Sequence, residues 1–444
     1  MPGPLLVCSL HPPPPAAPSR KVLMTPSPSL VSAGSPPPAA RTSGDGQVIT
    51  LMVVIQAAIA LGFFAVMAHV VAHLRDGLGL TAGTIGLVLG LRVGVQYALL
   101  LPVGALTDLL GAARAGVVAC ALRAAGFALL GTAKGLPELV AAAVLLGAGG
   151  ALFHPAAQSV LAGLSPERRA RGFAAYIATQ HAAAVAGPPL GLALLALGAG
   201  VMGSPDGFGL LAGAAATAWT LSAGLFLLLR RHLPRRDRGA GGRAPDAMAA
   251  FRGVRAVAGD RTFLLFVLAT APTTLLVDQA MTVVPLKGFS PEAATLFFCV
   301  LAASAAAAQP WVASRRRGER PWVLRCGLLL GGASYLVLVP LDGADPGPGW
   351  MLAAVLGGLA SGLVQPALFQ RVARHATPER FGTHFGVLSF LHGTFAFAGG
   401  LVVGRLFDLG APGATLALAG LAALGAAAAL LPGRRAALRT ADRR

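Results

Sequence analysis

Charged side chains are scarce in this chain. Asp, Glu, Lys and Arg make up 12% of its 444 residues, while 55% are hydrophobic. An ordinary soluble domain carries roughly a quarter charged residues, so water is not the main solvent here. Aromatic residues are also few, at 6%, which leaves little for stacking nucleic-acid bases. The formal charge of +18 would otherwise suggest such a partner. The basic residues, however, lie in short clusters between apolar runs, and no nucleic-acid partner is expected. The four cysteines, Cys8, Cys120, Cys299 and Cys326, are far apart and lack the spacing of a zinc or redox site. They read as small apolar fillers. Also missing are a phosphate-cradling Gly-x-x-x-x-Gly-Lys-Ser/Thr stretch, a Ser-His-Asp grouping that one loop could assemble, and any metal spacing. Neither an enzyme nor a bound cofactor or metal is expected.

What the chain has in abundance is apolar runs of about 20 residues, the length that crosses the hydrocarbon core of a bilayer. Breaks made of charge, Pro and Gly divide them into twelve candidate helices. These start near Gln47, Thr81, Ala115, Pro137, Ala170, Gly207, Thr262, Pro291, Pro321, Trp350, Phe381 and Pro412. The runs are continuously apolar rather than alternating, which favours helices over barrel strands. Small residues recur at helix-packing spacing, as in Gly90 with Gly94, Gly187 with Gly191, Gly358 with Gly362 and Gly400 with Gly404. With the N-terminus inside, only Arg75, Lys134, Lys287 and Arg405 among the Lys and Arg fall outside the cell. That asymmetry places both termini in the cytoplasm of a multi-pass protein of the cell (inner) membrane. The clusters Arg168 to Arg171, Arg230 to Arg261 and Arg315 to Arg320 then face anionic lipid. The first 46 residues, rich in Pro, Ser and Ala, are expected to be a disordered cytoplasmic tail, or in part an overlong start with Met24 as an alternative initiator.

One phrase occurs twice. "LSPERRARG" at Leu164 to Gly172 and "ATPERFGTH" at Ala376 to His384 each follow an apolar run carrying a proline, Pro155 or Pro366. They mark the cytoplasmic turns after the fourth and tenth spans, so the chain is two copies of a six-span unit. The expected parts are a tail over 1–46, a six-helix bundle over 47–229, a basic linker over 230–261, a second bundle over 262–431 and a basic tail over 432–444. Parallel repeats of this kind leave a cavity between the halves at mid-membrane, and rocking opens it to alternate sides.

"GALTDLLGAAR", Gly104 to Arg114, resembles the signature of the major facilitator superfamily between spans two and three. The resemblance implies the major facilitator fold: an all-α membrane protein of twelve transmembrane helices in two pseudo-symmetric six-helix bundles. It also implies a gating role for Gly104, Asp108, Gly111 and Arg114, with Arg114 able to pair with Asp108. The stretch departs from the pattern at Leu109, where a basic residue is usual, and at Ala112 and Ala113. "GPPLG", carrying Gly187, Pro188 and Gly191, resembles an antiporter-type helix-bend motif. Together with "GAGGALFHPAAQS" and "GRLFDLG", it makes the chain similar to the drug:proton antiporter branch, the bacterial multidrug-resistance exporters of the MdtH kind. An arginine frequent in span four of that branch would fall at Ala143.

Polar groups inside the lipid are the candidate site. A mid-membrane charge costs roughly 2.5 kcal/mol or more on insertion scales, so such groups face a cavity or a partner. Asp278, in the seventh span, is the one acidic residue that lies well inside a run. It is a candidate proton-coupling group or, alternatively, a partner for a cation. Arg92, near the centre of span two with Gln96 and Tyr97 beyond it, could hold an anionic substrate group or pin an acidic partner. For Arg123 a structural role is favoured. His154, His181 and His392 fall near mid-helix, and histidine titrates in the physiological range. They are candidate proton carriers or neutral hydrogen-bonding residues. The repeat sets His181 and His392 within one position of each other and His154 opposite Gln365. Gln56, Gln158, Gln180, Gln279, Gln309 and Gln365 supply uncharged polar groups to the cavity. His69 and His73 are placed at the membrane interface, near the outer end of span one. The reading is a secondary transporter, proton-coupled and exporting amphipathic organic compounds as a monomer in the lipid bilayer. The alternatives are uptake or facilitated diffusion of a small metabolite and, further off, a sensor or enzyme on the same scaffold.

Overall fold

An unbonded backbone N–H or C=O in hydrocarbon costs several kcal/mol, so long apolar runs must close their hydrogen bonds internally as helices. The computed structural model describes residues 42–202, 207–231, 257, 259–313, 320–341, 347–375 and 381–430. In the first half α1 spans Thr42–Ala72, α2 Ala82–Leu110, α3 Ala112–Thr132, α4 Leu136–Ala162, α5 Pro166–Met202 and α6 Phe208–Leu229. In the second half α7 comes in three pieces, α7a Arg261–Thr270, α7b Pro272–Asp278 and α7c Ala280–Leu286. It is followed by α8 Pro291–Ala313, α9 Pro321–Leu338, α10 Gly349–His375, α11 Phe381–Phe407 and α12 Ala411–Leu430. Among the described residues eleven helices are long and apolar enough to cross a membrane, and Trp322–Leu338 is a shorter apolar one. The starts lie close to those read from hydropathy; α1 and α5 begin ahead of Gln47 and Ala170. Residues 1–41 of the assigned N-terminal tail, the whole C-terminal tail and most of the linker lie outside the described residues, while 42–46 of that tail belong to α1.

Helix ends follow local chemistry. The Asp260 carboxylate accepts the N–H groups of Thr262 and Phe263, both at 3.0 Å, and starts α7a. Gly111 separates α2 from α3 with φ +80, a conformation that only glycine adopts without strain. The seventh span breaks where Pro272 cannot donate an N–H, and again at Gln279. At the second break the buried Tyr335 hydroxyl of α9 donates to the Leu276 carbonyl at 2.5 Å, satisfying a group that an unbroken helix would have paired with Ala280.

The packing repeats with an offset of six helices. In the first half α1 packs on α5 and α6, α2 on α4, and α3 on α4 and α6. In the second, α7 packs on α11 and α12, α8 on α10, and α9 on α10 and α12. Each half has its own core: Phe127, Phe153, Trp219 and Phe226 in one, Phe297, Leu328, Tyr335 and Leu418 in the other. The halves join along α2–α11 and α5–α8, and the glycine pairs sit on close approaches. A Cβ on Gly86 would come within 2.7 Å of the Gly400 carbonyl oxygen, and one on Gly404 within 2.5 Å of that of Ala82. A Cβ on Gly191 would lie 2.6 Å from the Ala65 oxygen of α1, and one on Gly362 2.5 Å from the Ala305 oxygen of α8. In lipid, contact at this range is what holds helices together.

Candidate functional site

A cavity of about 200 Å³ lies between the first half and α7b. From α1 it takes Gln56, Phe63 and Phe64, and from α2 Arg92, Gln96 and Tyr97. Arg123 reaches it from α3, Phe153 and His154 from α4, Gln180 from α5 and Trp219 from α6. The second half contributes Asp278, set beside the break in α7. A smaller cavity of about 50 Å³ continues from it, sharing Arg92, Val93 and Asp278 and adding Gln279, Thr282, Gly86 and Gly400. Arg92 and Asp278 therefore stand where two chambers meet.

Arg92 and Asp278 act on each other electrostatically without closing to an ion pair, and the two arginines lie against rings and one amide. The Arg123 guanidinium carbon lies 5.1 Å from the ring centres of both Phe63 and Trp219, and Nη2 donates to the Gln96 side-chain oxygen at 3.4 Å. The Arg92 guanidinium carbon is 5.7 Å from the centre of the same Phe63 ring. Such cation–π contacts are worth about 0.5–2 kcal/mol. Nε of both arginines is buried without a partner, as is Oε1 of Gln56. Among the described residues neither arginine nor Asp278 takes part in an ion pair. Arg123 makes the contacts with neighbouring helices that a structural role implies, and it also stands on the cavity wall. It faces the cavity because the glycines of α4 make room: a Cβ on Gly149 would lie 2.6 Å from Arg123 Cγ, and one on Gly150 would overlap its guanidinium. Ala143, at the position of the span-four arginine of similar exporters, is instead buried in the core.

The remaining candidates separate. His154 lines the larger cavity and Gln279 the smaller. Gln158 and Gln365 are exposed and line neither. His181 Nε2 lies 2.6 Å from Gln309 Oε1, a hydrogen bond from α5 to α8 across the halves. His392 is buried between two hydroxyls, with Nε2 3.2 Å from Thr270 Oγ1 and Nδ1 3.2 Å from Thr274 Oγ1. His69 is buried, and its Nε2 donates to the Pro188 carbonyl at 3.1 Å. A π turn over His73–Gly77 prolongs α1 beyond His69. His73 stacks on Phe208 at 3.9 Å.

Of the gating motif, Gly104 lies on α2, the Asp108 side chain lies outside the described residues, Gly111 makes the turn and Arg114 is exposed on α3. In the bend motif, Pro189 cannot donate to the Val185 carbonyl, and the Cys299 thiol of α8 donates to it instead at 3.2 Å. Two contacts that hydropathy gave no means of finding tie the halves at the end carrying the α1–α2 connection. Arg75 Nη1 donates to the Pro285 carbonyl at 2.6 Å, at the C-terminus of α7c, while Nε and Nη2 hold Asp76. The Asp408 carboxylate accepts the Gly83 N–H at 3.0 Å, at the N-terminus of α2. Each charge meets the helix end whose dipole it complements.

Comparison with known proteins agrees with this architecture. An uncharacterized MFS-type transporter of Mycobacterium tuberculosis is 27% identical over 374 residues, which cover 81% of this chain and 85% of the relative. Multidrug resistance protein MdtH of Shigella dysenteriae is 28% identical over 363 residues, covering 79% and 84%. The crystal structure of tetrameric PepTSo2 superimposes with a TM-score of 0.70 at 14% identity, over 90% of this chain and 99% of that one. The family model of the Major Facilitator Superfamily matches residues 52–400. With eleven membrane-length apolar helices and one shorter one among the described residues, packed in two like sets, and that match along most of its length, the chain belongs to the Major Facilitator Superfamily.

Proposed function

We propose that this transporter exports amphipathic organic compounds in exchange for protons, by alternating access, with both termini in the cytoplasm of a bacterial inner membrane. The observation that carries the reading is the position of Asp278: it is the one carboxylate of the described lining, and it borders both chambers. A proton arriving through the small chamber reaches the same group as a substrate in the large one. In this scheme Asp278 is protonated from outside as substrate leaves, and deprotonation to the inside resets the carrier. The halves 47–229 and 262–431 rock as bodies about α2–α11 and α5–α8, joined by the linker 230–261. Gly104, Asp108, Gly111 and Arg114 form the cytoplasmic gate, and Gly187, Pro188 and Gly191 the bend that seals α5 against α1. Phe63, Phe153 and Trp219 give the pocket the apolar surface that drug-sized ligands bury. The direction of transport is taken from the relative named a multidrug resistance protein. No second monomer enters the scheme.

The test is accumulation of a panel of fluorescent compounds in cells with and without the gene, repeated with an uncoupler. Lower accumulation with the gene, abolished by the uncoupler, is the expected result. In everted vesicles Asp278→Asn should fold yet lose proton-driven transport. Unchanged coupling in Asp278→Asn would remove that residue from the mechanism. Equal accumulation of every compound would favour uptake or facilitated diffusion of a small metabolite.

A further inference from the structure

Arg92 and Arg123 bring two permanent positive charges to a cavity whose described lining holds one carboxylate, Asp278, which acts on Arg92 and leaves the pair one anion short. Ring contacts satisfy none of their N–H groups, and the Gln96 amide satisfies one donor of Arg123. Nε of each remains buried and unpartnered. A guanidinium withdrawn from water costs several kcal/mol unless an anion meets it. A planar acid group, bonded by two forks of donors, is the ligand that removes this cost.

Coupling adds a second requirement. Exchange of substrate for proton needs the two to exclude one another at a shared group. A purely anionic substrate would do the reverse, because protonating Asp278 makes the cavity more positive and strengthens its hold on an anion. Proton and anion would then travel together. Exclusion follows when the same molecule also carries a cationic group that takes ionised Asp278 and is displaced by the proton.

We infer that the transported compounds are aromatic and amphoteric, with an acid group held by Arg92 and Arg123, rings against Phe63 and Trp219, and a cationic group on Asp278. This rests on the exporter reading for the cationic group and on geometry alone for the acid group.

Four probes built on one ring system test it: an aminomethyl-naphthoic acid with its groups at opposite ends, its methyl ester, methyl-naphthoic acid and naphthylmethylamine. Binding to the purified full-length chain is read by fluorescence, and transport in everted vesicles. The amphoteric probe should bind about tenfold more tightly than its ester, the scale of a charge-assisted hydrogen bond. Arg123→Gln should lower affinity for the two acid-bearing probes about tenfold and leave the ester unchanged, and Arg123→Lys should restore part of the loss. Asp278→Asn should remove the advantage of the amine. Ester and acid bound and exported alike would overturn the inference and leave the exporter reading in place. Binding with the stated charge preference, but no exchange for protons by any probe, would overturn the exporter reading and with it the coupling role of Asp278.

Discussion

Adding a single methyl group at Gly86 should open the closed end of the molecule. A Cβ there would sit 2.7 Å from the Gly400 carbonyl oxygen and 3.3 Å from Gly404 Cα, where ordinary contact begins at 3.4 Å. Both neighbours are backbone, so neither can turn aside. In Gly86→Ala, α2 and α11 must part by several tenths of an ångström at the end where Arg75 and Asp408 also hold the halves together. Overpacking of this sort costs about 1–3 kcal/mol. The cost falls on the arrangement with α2 and α11 in contact and is relieved in one that spreads this end, so the balance should shift about 5–150-fold toward the latter. Thr282 lines the small chamber and is buried, which makes Thr282→Cys a reporter. In a background with the four native cysteines replaced, an impermeant maleimide added from that side should label the Gly86→Ala protein faster by about that factor. Gly213→Ala serves as the control, since no atom lies within 4 Å of its Cβ. Equal labelling of a folded Gly86→Ala protein would refute the claim that the α2–α11 contact keeps this end shut.

The charged latches should act in the same direction with a smaller effect. Arg75→Ala or Asp408→Ala each removes a part-buried hydrogen bond, worth about 1 kcal/mol, and should raise labelling of the same reporter about fivefold; no change in the double variant would dismiss them as surface detail. Gly191→Leu addresses stability instead. Its Cβ would lie 2.6 Å from the Ala65 oxygen and 2.8 Å from the His69 ring, so little folded protein should be recovered from membranes. Normal yield with a normal melting temperature would show that α5 and α1 tolerate separation.

Much of the architecture was legible because hydrocarbon enforces it. A run of apolar residues long enough to cross must be a helix, and Pro291, Pro321 and Phe381 open α8, α9 and α11 where the hydropathy breaks fall. Asp278 was legible for the same reason, since an isolated carboxyl in such a run needs a cavity. The histidines were not. His181 and His392 differ by one position in the repeat, and one position turns a side chain about 100° around a helix of 3.6 residues per turn. That rotation sends His181 across to Gln309 on α8, while His392 turns back into its own half onto Thr270 and Thr274. Sequence likeness between the halves locates a residue along the membrane normal without saying which neighbour it meets.

Arg123 shows where the signal that brings an arginine to a cavity wall can lie. Considered on its own helix, it differs from Arg92 in nothing that composition can express, and both are single arginines within apolar runs. The distinguishing mark lies on a different helix, in the "GAGG" of α4. Gly147 lets α2 approach at the Arg92 carbonyl, whereas Gly149 and Gly150 lie under the Arg123 side chain. A long cation crossing from one helix toward a cavity needs its neighbour stripped of side chains along its path, and glycine is the residue that does this without breaking a helix packed in lipid. If that is why the glycines are there, Gly149→Ala and Gly150→Ala should each displace the guanidinium from Phe63 and Trp219 and weaken acid recognition as strongly as Arg123→Gln, while Gly147→Ala should disturb the α2–α4 packing and spare the charge preference.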